Sequence, residues 1–98
     1  MIEYSQRAQR QLFELLLHYE KLDRTEAVRN LIAAMAQVEA SIERKPDAGL
    51  PAPRPYPSLA RLGYAWTKSG SYWVAYSRSA PSVIVGVFHE SADIANRV

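Results

Sequence analysis

Cysteine is absent from the 98-residue chain, which rules out both a disulfide framework and a thiolate zinc site. Histidine is scarce: the two, His18 and His89, stand far apart in the sequence. A metal centre would therefore need carboxylates, and no metal is expected. The four glycines, Gly49, Gly63, Gly70 and Gly86, fit neither a dinucleotide-binding fingerprint nor a phosphate loop. No GxSxG elbow occurs, and no cofactor is expected. No apolar run approaches the roughly 18 residues of a membrane span, and the opening MIEYSQRAQR does not read as a signal peptide. These absences predict a cytoplasmic protein without a membrane partner.

Neither sign of charge dominates, the formal net charge being +2. The distribution is uneven. Residues 1–49 carry seven Lys/Arg against eight Asp/Glu, and residues 50–98 carry five against two. A mildly basic second half suits an acidic protein partner, nucleic acid or an ordinary solvated surface alike. With 48% hydrophobic and 22% charged residues, the composition is that of one globular domain spanning residues 1–98.

What the chain does contain is concentrated in residues 64–89, YAWTKSGSYWVAYSRSAPSVIVGVFH. Three aromatic and β-branched runs are separated by Lys68-Ser69-Gly70-Ser71 and by Ser79-Ala80-Pro81-Ser82. Such runs read as strands, and short connections make them antiparallel neighbours. Tyr72, Val74 and Tyr76 fall on one face, with Trp73, Ala75 and Ser77 on the other. The third run, Val83 to Phe88, does not alternate, which predicts a buried strand covered on both faces.

The first half supplies helices. Ile2 and Tyr4 form a short alternating piece, and Ser5 reads as an N-cap. Ala8, Leu12, Leu15, Leu16 and Tyr19 then recur three and four apart. Phe13 and Leu17 lie outside that stripe, so this helix either sits between two layers or offers a face to a partner. Asp23 and Glu26 have capping-box spacing. The second helix carries Val28, Leu31, Met35, Val38 and Ile42 and is expected to stop at Lys45, before Pro46. The short break predicts an antiparallel hairpin, each buried Leu or Ile contributing about 1.5–3 kcal/mol. Residues 46–57, PDAGLPAPRPYP, hold five of the six prolines and read as a stiff, extended crossing to the sheet. The tail, residues 90–98, is polar enough to read as a short free turn, with Ile94 and Val98 available to a target or to the sheet.

The predicted order is strand, helix, helix, strand, strand, strand: an α+β chain with a three-stranded antiparallel meander under a helical hairpin. His18 falls off the apolar stripe and reads as a surface residue. His89 ends the most buried strand beside Glu90 and near Asp93, as a functional group or as a cap on the sheet. Trp66, Trp73, Tyr72 and Tyr76 read first as core; a tryptophan left exposed becomes a partner anchor.

In order and spacing the chain resembles the RelE/ParE superfamily of toxins from bacterial type II toxin–antitoxin modules, over nearly its whole length. YSQRAQRQL is similar to that family's S-x-x-A-x-x-x-L opening. The two helices, the proline-rich crossing, SGSYWVAYS, and VIVGVFHESADI, which looks like the ParE branch's last strand, His and terminal Asp-Ile, follow in register. The resemblance implies a β-α-α-β-β-β fold and a growth-arresting, plasmid-stabilising toxin that forms a hetero-oligomer with a cognate antitoxin. It offers two targets. ParE-like members inhibit DNA gyrase by binding; RelE-like members cut messenger RNA in the ribosome.

Cleavage through the 2′-hydroxyl needs a base, an acid and cations at the phosphate. The nuclease branch places cations after the middle-strand aromatic and after the last strand. Here Trp73 follows Tyr72, and His89, Glu90, Ser91 and Ala92 close the last strand; a carboxylate there repels phosphate. The ParE branch often has Arg before the terminal Asp, where this chain has Ala92. The resemblance thus points to a gyrase inhibitor without catalytic residues. Antitoxin contacts are expected at Phe13, Leu17, Trp66 and Trp73, and target contacts at His89, Glu90, Asp93, Ile94 and Arg97. The alternatives are a ribosome-dependent endoribonuclease using His89, Arg78 and Arg61, and a degenerate member that binds antitoxin without toxicity.

Overall fold

In the computed structural model, residues 2–97 are described. Ser5 caps the first helix as expected, its Oγ accepting the Ala8 N–H at 3.1 Å. Helix α1 spans Gln6–Lys21 and α2 spans Thr25–Arg44. The turn between them departs from the capping-box expectation. Arg24, not Asp23, is the N-cap of α2, and no side chain caps it. Asp23 instead adopts a left-handed conformation, φ 57°. The Asp23 N–H donates to Glu20 O (3.0 Å) and the Arg24 N–H to Tyr19 O (2.9 Å). This is the six-to-one and five-to-two pattern that closes a helix C-terminus. Asp23 therefore ends α1 rather than starting α2.

The strands are β1 (Glu3–Tyr4), β2 (Ala65–Ser69), β3 (Tyr72–Tyr76) and β4 (Val83–His89). They form one four-stranded sheet in the order β1-β4-β3-β2. The β2-β3-β4 meander is antiparallel as expected. The sheet as a whole is mixed, because β1 pairs parallel with β4 through Glu3↔Val83 and Tyr4↔Ile84. Where β1 stops, α1 continues along β4, and the Gln11 side-chain carbonyl accepts the Val87 N–H at 2.9 Å. A register shift at Ala75/Tyr76 marks a bulge in β4. It explains the lost alternation: Ile84 and Val87 both face the helices while Val85 and Phe88 face the other way.

Two apolar layers result. On one face Tyr72, Val74, Tyr76, Ile84 and Val87 meet Ala8, Tyr19, Leu31, Met35, Val38 and Ile42 of the hairpin. On the opposite face Trp66, Trp73, Ala75 and Phe88 are covered by Ala52, Leu59 and Ile94. The proline-rich stretch is thus more than a crossing. It makes a 3₁₀ turn at Pro46–Ala48, a bridge from Leu50 to Trp66, and a 3₁₀ helix at Pro57–Leu62. The physical reason is that helices cover only one side of a sheet apolar on both. Proline suits the buried cover because it brings no backbone N–H that needs a partner; Pro53 is among the fully buried side chains.

The tail expectation is corrected in the same way. Ile94 is fully buried in this second layer, within a 3₁₀ turn at Ile94–Asn96. The backbone carbonyl of Arg97 accepts a hydrogen bond from the Arg7 guanidinium. Val98 lies outside the described residues. Among those described, no helix is long and apolar enough to cross a membrane.

Candidate functional site

The outer side of the helical hairpin has apolar surface that the fold does not cover. Leu31 and Met35 of α2 point into the core, while Leu12 and Leu16 of α1 are half-buried against it. Between the helices runs an open groove of about 580 Å³, lined by Leu12, Leu16, Leu31, Ile32, Met35 and Ala36. Ile32 at its lip is 59% exposed on α2; Phe13, outside the groove lining, is 60% exposed on α1. At 100° per residue, Phe13 stands about 60° round the helix from Leu16. Leu17, 39% exposed, points further outward. Contiguous exposed apolar surface of this kind marks a contact site.

Charge closes one end of the groove. Glu39 and Glu43 line it, and the Tyr4 hydroxyl donates to Glu39 Oε2 at 2.6 Å. Burial, reinforced by the Glu39 carboxylate, pushes the Tyr4 phenol above its usual range. The groove therefore offers an apolar floor and an acidic end.

A second, polar region lies where the α1–α2 turn meets the end of β4. The buried hydroxyls of Tyr19 and Tyr72 share a hydrogen bond of 2.6 Å. Burial first, and the Tyr19 hydroxyl second, raise the Tyr72 phenol. The His89 ring stands edge-on to Tyr72 at 5.4 Å, and the Arg24 guanidinium lies 5.7 Å from the Tyr19 ring centroid. His18 is exposed, as expected, yet both histidines line one recess of about 600 Å³ with Glu14, Arg24 and Arg97. Sequence distance hid that convergence. His89 Nδ1 accepts the Ser91 N–H at 3.1 Å. Among the described residues no cluster of three or more His, Asp or Glu is placed to hold a metal.

The other expected site residues fall in different places. Trp66 and Trp73 are both buried in the second layer, so neither meets the condition for an exposed anchor. Glu90 pairs with Lys68 at 3.2 Å, and that ammonium holds its carboxyl below the usual value. Asp93 is exposed and accepts from the Asn96 side chain; Ile94 is buried.

His89, Arg78 and Arg61 are not brought together. His89 pairs with Tyr72 at one end of β3, while Arg78 follows Tyr76 at the other. Arg61 precedes β2, whose Ala65 pairs with Tyr76. The ladder from Tyr72 to Tyr76 alone spans roughly 14 Å. Sequence reasoning missed the Tyr19–Tyr72 pair, because the two are 53 residues apart. It missed Ile32 because the position breaks an otherwise regular stripe without looking unusual. The chain matches no protein-family profile and no curated protein.

Proposed function

We propose that the protein is a RelE/ParE-type toxin of a bacterial type II toxin–antitoxin module, on the ParE side, working in the cytoplasm. A cognate antitoxin holds it silent, and the toxin inhibits DNA gyrase by binding. The observation that carries the reading is the hairpin groove, with Ile32 exposed at its lip and Phe13 exposed elsewhere on α1. An amphipathic helix of the antitoxin laid along Leu12, Leu16 and Ile32 is a helix-in-groove contact. The strand and helix order, β-α-α-β-β-β, is the one that the resemblance implies. Separation of His89 from Arg61 and Arg78 speaks against the nuclease alternative, and so does Glu90 where a phosphate clamp would stand.

Two assays run side by side test this. Purified protein added to a gyrase supercoiling reaction is expected to block supercoiling; added to coupled translation, it is expected to leave messenger intact. Codon-phased cuts that vanish in His89→Ala overturn the reading in favour of the ribosome. Inactivity in both assays, with antitoxin binding retained, makes it a degenerate member. Phe13→Ser with Leu17→Ser is expected to weaken antitoxin binding at unchanged melting temperature.

A further inference from the structure

Trp66 is fully buried, and its indole Nε1–H is the one buried side-chain polar group among the described residues without a hydrogen-bond partner. An indole can only donate, and a buried donor left unpaired is destabilising, so its resonance is sensitive to charge brought near it. Trp66 lines a recess of about 270 Å³ at the outer edge of β2, together with Leu50, Arg54, Thr67, Lys68 and Trp73. The charged groups lining it are both cations. The Arg54 guanidinium sits 5.9 Å from the Trp73 ring centroid. Lys68 already draws one carboxylate of this chain, Glu90, to 3.2 Å. A recess walled by a guanidinium and an ammonium suits an anionic group.

The backbone beside it favours a particular carrier. Trp66 exchanges both its N–H and its C=O with Leu50, at 2.7 Å each way, on the side away from β3. In an antiparallel strand the residue two further on points its backbone groups the same way. The N–H and C=O of Lys68 therefore face outward too, and among the described residues nothing takes them. An unpaired edge next to a cationic recess suits an extended peptide. Two cations with Glu90 beside them are a poor match for a phosphate backbone, whose binding rests on several such contacts.

We propose that this recess takes a carboxylate side chain borne on an extended peptide segment of a partner. The carboxylate lies between Arg54 and Lys68, above the buried Trp66 indole, while the peptide backbone pairs with Lys68 on the open edge of β2. The site is on the opposite face of the sheet from the hairpin groove, and the inference stands independently of the toxin reading.

The test is a titration of the ¹⁵N-labelled full chain, following the Trp66 indole N–H resonance, assigned through its contacts with Phe88. The probes are a capped Thr-Val-Glu-Val-Thr peptide, its Gln counterpart, sodium acetate and inorganic phosphate. The Glu peptide is expected to shift the resonance saturably. The Gln peptide, and the Glu peptide on Arg54→Ala protein, are each expected to bind at least about tenfold more weakly. Arg54 is exposed, so that variant keeps its fold. Two results overturn the proposal: no shift with the Glu peptide, or equal binding by Arg54→Ala. Equal shifts with acetate or phosphate overturn the peptide carrier and leave a site for free anions.

Discussion

Ile94 is the residue on which the closing turn of the chain depends. It is fully buried among Trp66, Trp73, Phe88 and Leu59, while its neighbour Ala95 is exposed. Truncating a buried isoleucine to alanine removes apolar transfer energy and leaves a cavity, at about 2–5 kcal/mol. The lining here argues against cheap collapse, because two indoles and a phenyl ring cannot slide inward without leaving the sheet. A loss near 3 kcal/mol lowers the melting temperature of a domain this size by about 12–24 °C. The assay is thermal unfolding by circular dichroism, checked by the urea midpoint at constant m-value, with Ala95→Ser as control. The control is expected to melt like the parent, and truncation after Ser91 to fall at least as far as Ile94→Ala. An Ile94→Ala protein melting within about 3 °C of the parent would refute the claim that the tail seals the second layer.

Asp23 pays left-handed strain in the helix turn (φ 57°), so Asp23→Gly is expected to raise stability by about 1 kcal/mol, read as a higher urea midpoint. Gly49→Ala is expected to lower it by about 1–3 kcal/mol, because a Cβ there would meet Ala65 Cβ at 2.7 Å and the Tyr76 hydroxyl. That hydroxyl is also the one that donates to Pro46 O at 2.9 Å. Tyr19→Phe and Tyr72→Phe each orphan a buried hydroxyl, so the double variant is expected to lose less than the two singles combined, a non-additivity that a double-mutant cycle measures. Tyr72 has a folded-state pKa raised chiefly by burial, so its stabilising effect is complete below the unfolded value of about 10 and is lost as pH rises beyond it. Tyr72→Phe is therefore expected to flatten the alkaline fall in melting temperature, leaving the part due to Tyr4 and Tyr76.

Local pattern carried the elements and global economy carried the layers, and the sequence speaks mainly of the first. The three and four spacing of Leu31, Met35, Val38 and Ile42, and the alternation of Tyr72, Val74 and Tyr76, are local signals and appear in the fold as read. The parallel pairing of Glu3 with Val83 is not local, and two residues are too few to announce a partner. The role of residues 50–62 was hidden because proline signals stiffness, whereas their burial is decided by an apolar sheet face found elsewhere in the chain. Ile94 was left open between a target and the sheet for the same reason: polar neighbours describe a turn's exposed sides and not the one side chain that it inserts. At the candidate site, Phe13 and Leu17 stood out as surplus to the apolar stripe. Their companion Ile32 did not, since its place at the groove follows from how two helices cross.

The pairing of β1 with β4 has a consequence for the birth of the protein. Closing a loop of some eighty residues costs about 4 kcal/mol in chain entropy beyond the constant term. That cost is recovered only once Val83 and Ile84 are free to meet Glu3 and Tyr4. During synthesis, which delivers about 5–20 residues per second, the hairpin of α1 and α2 must wait with its inner face bare until the meander emerges. The second layer waits longer still, for Ile94. No early fragment holds both finished layers, so apolar inner faces stay bare until β4 and Ile94 arrive.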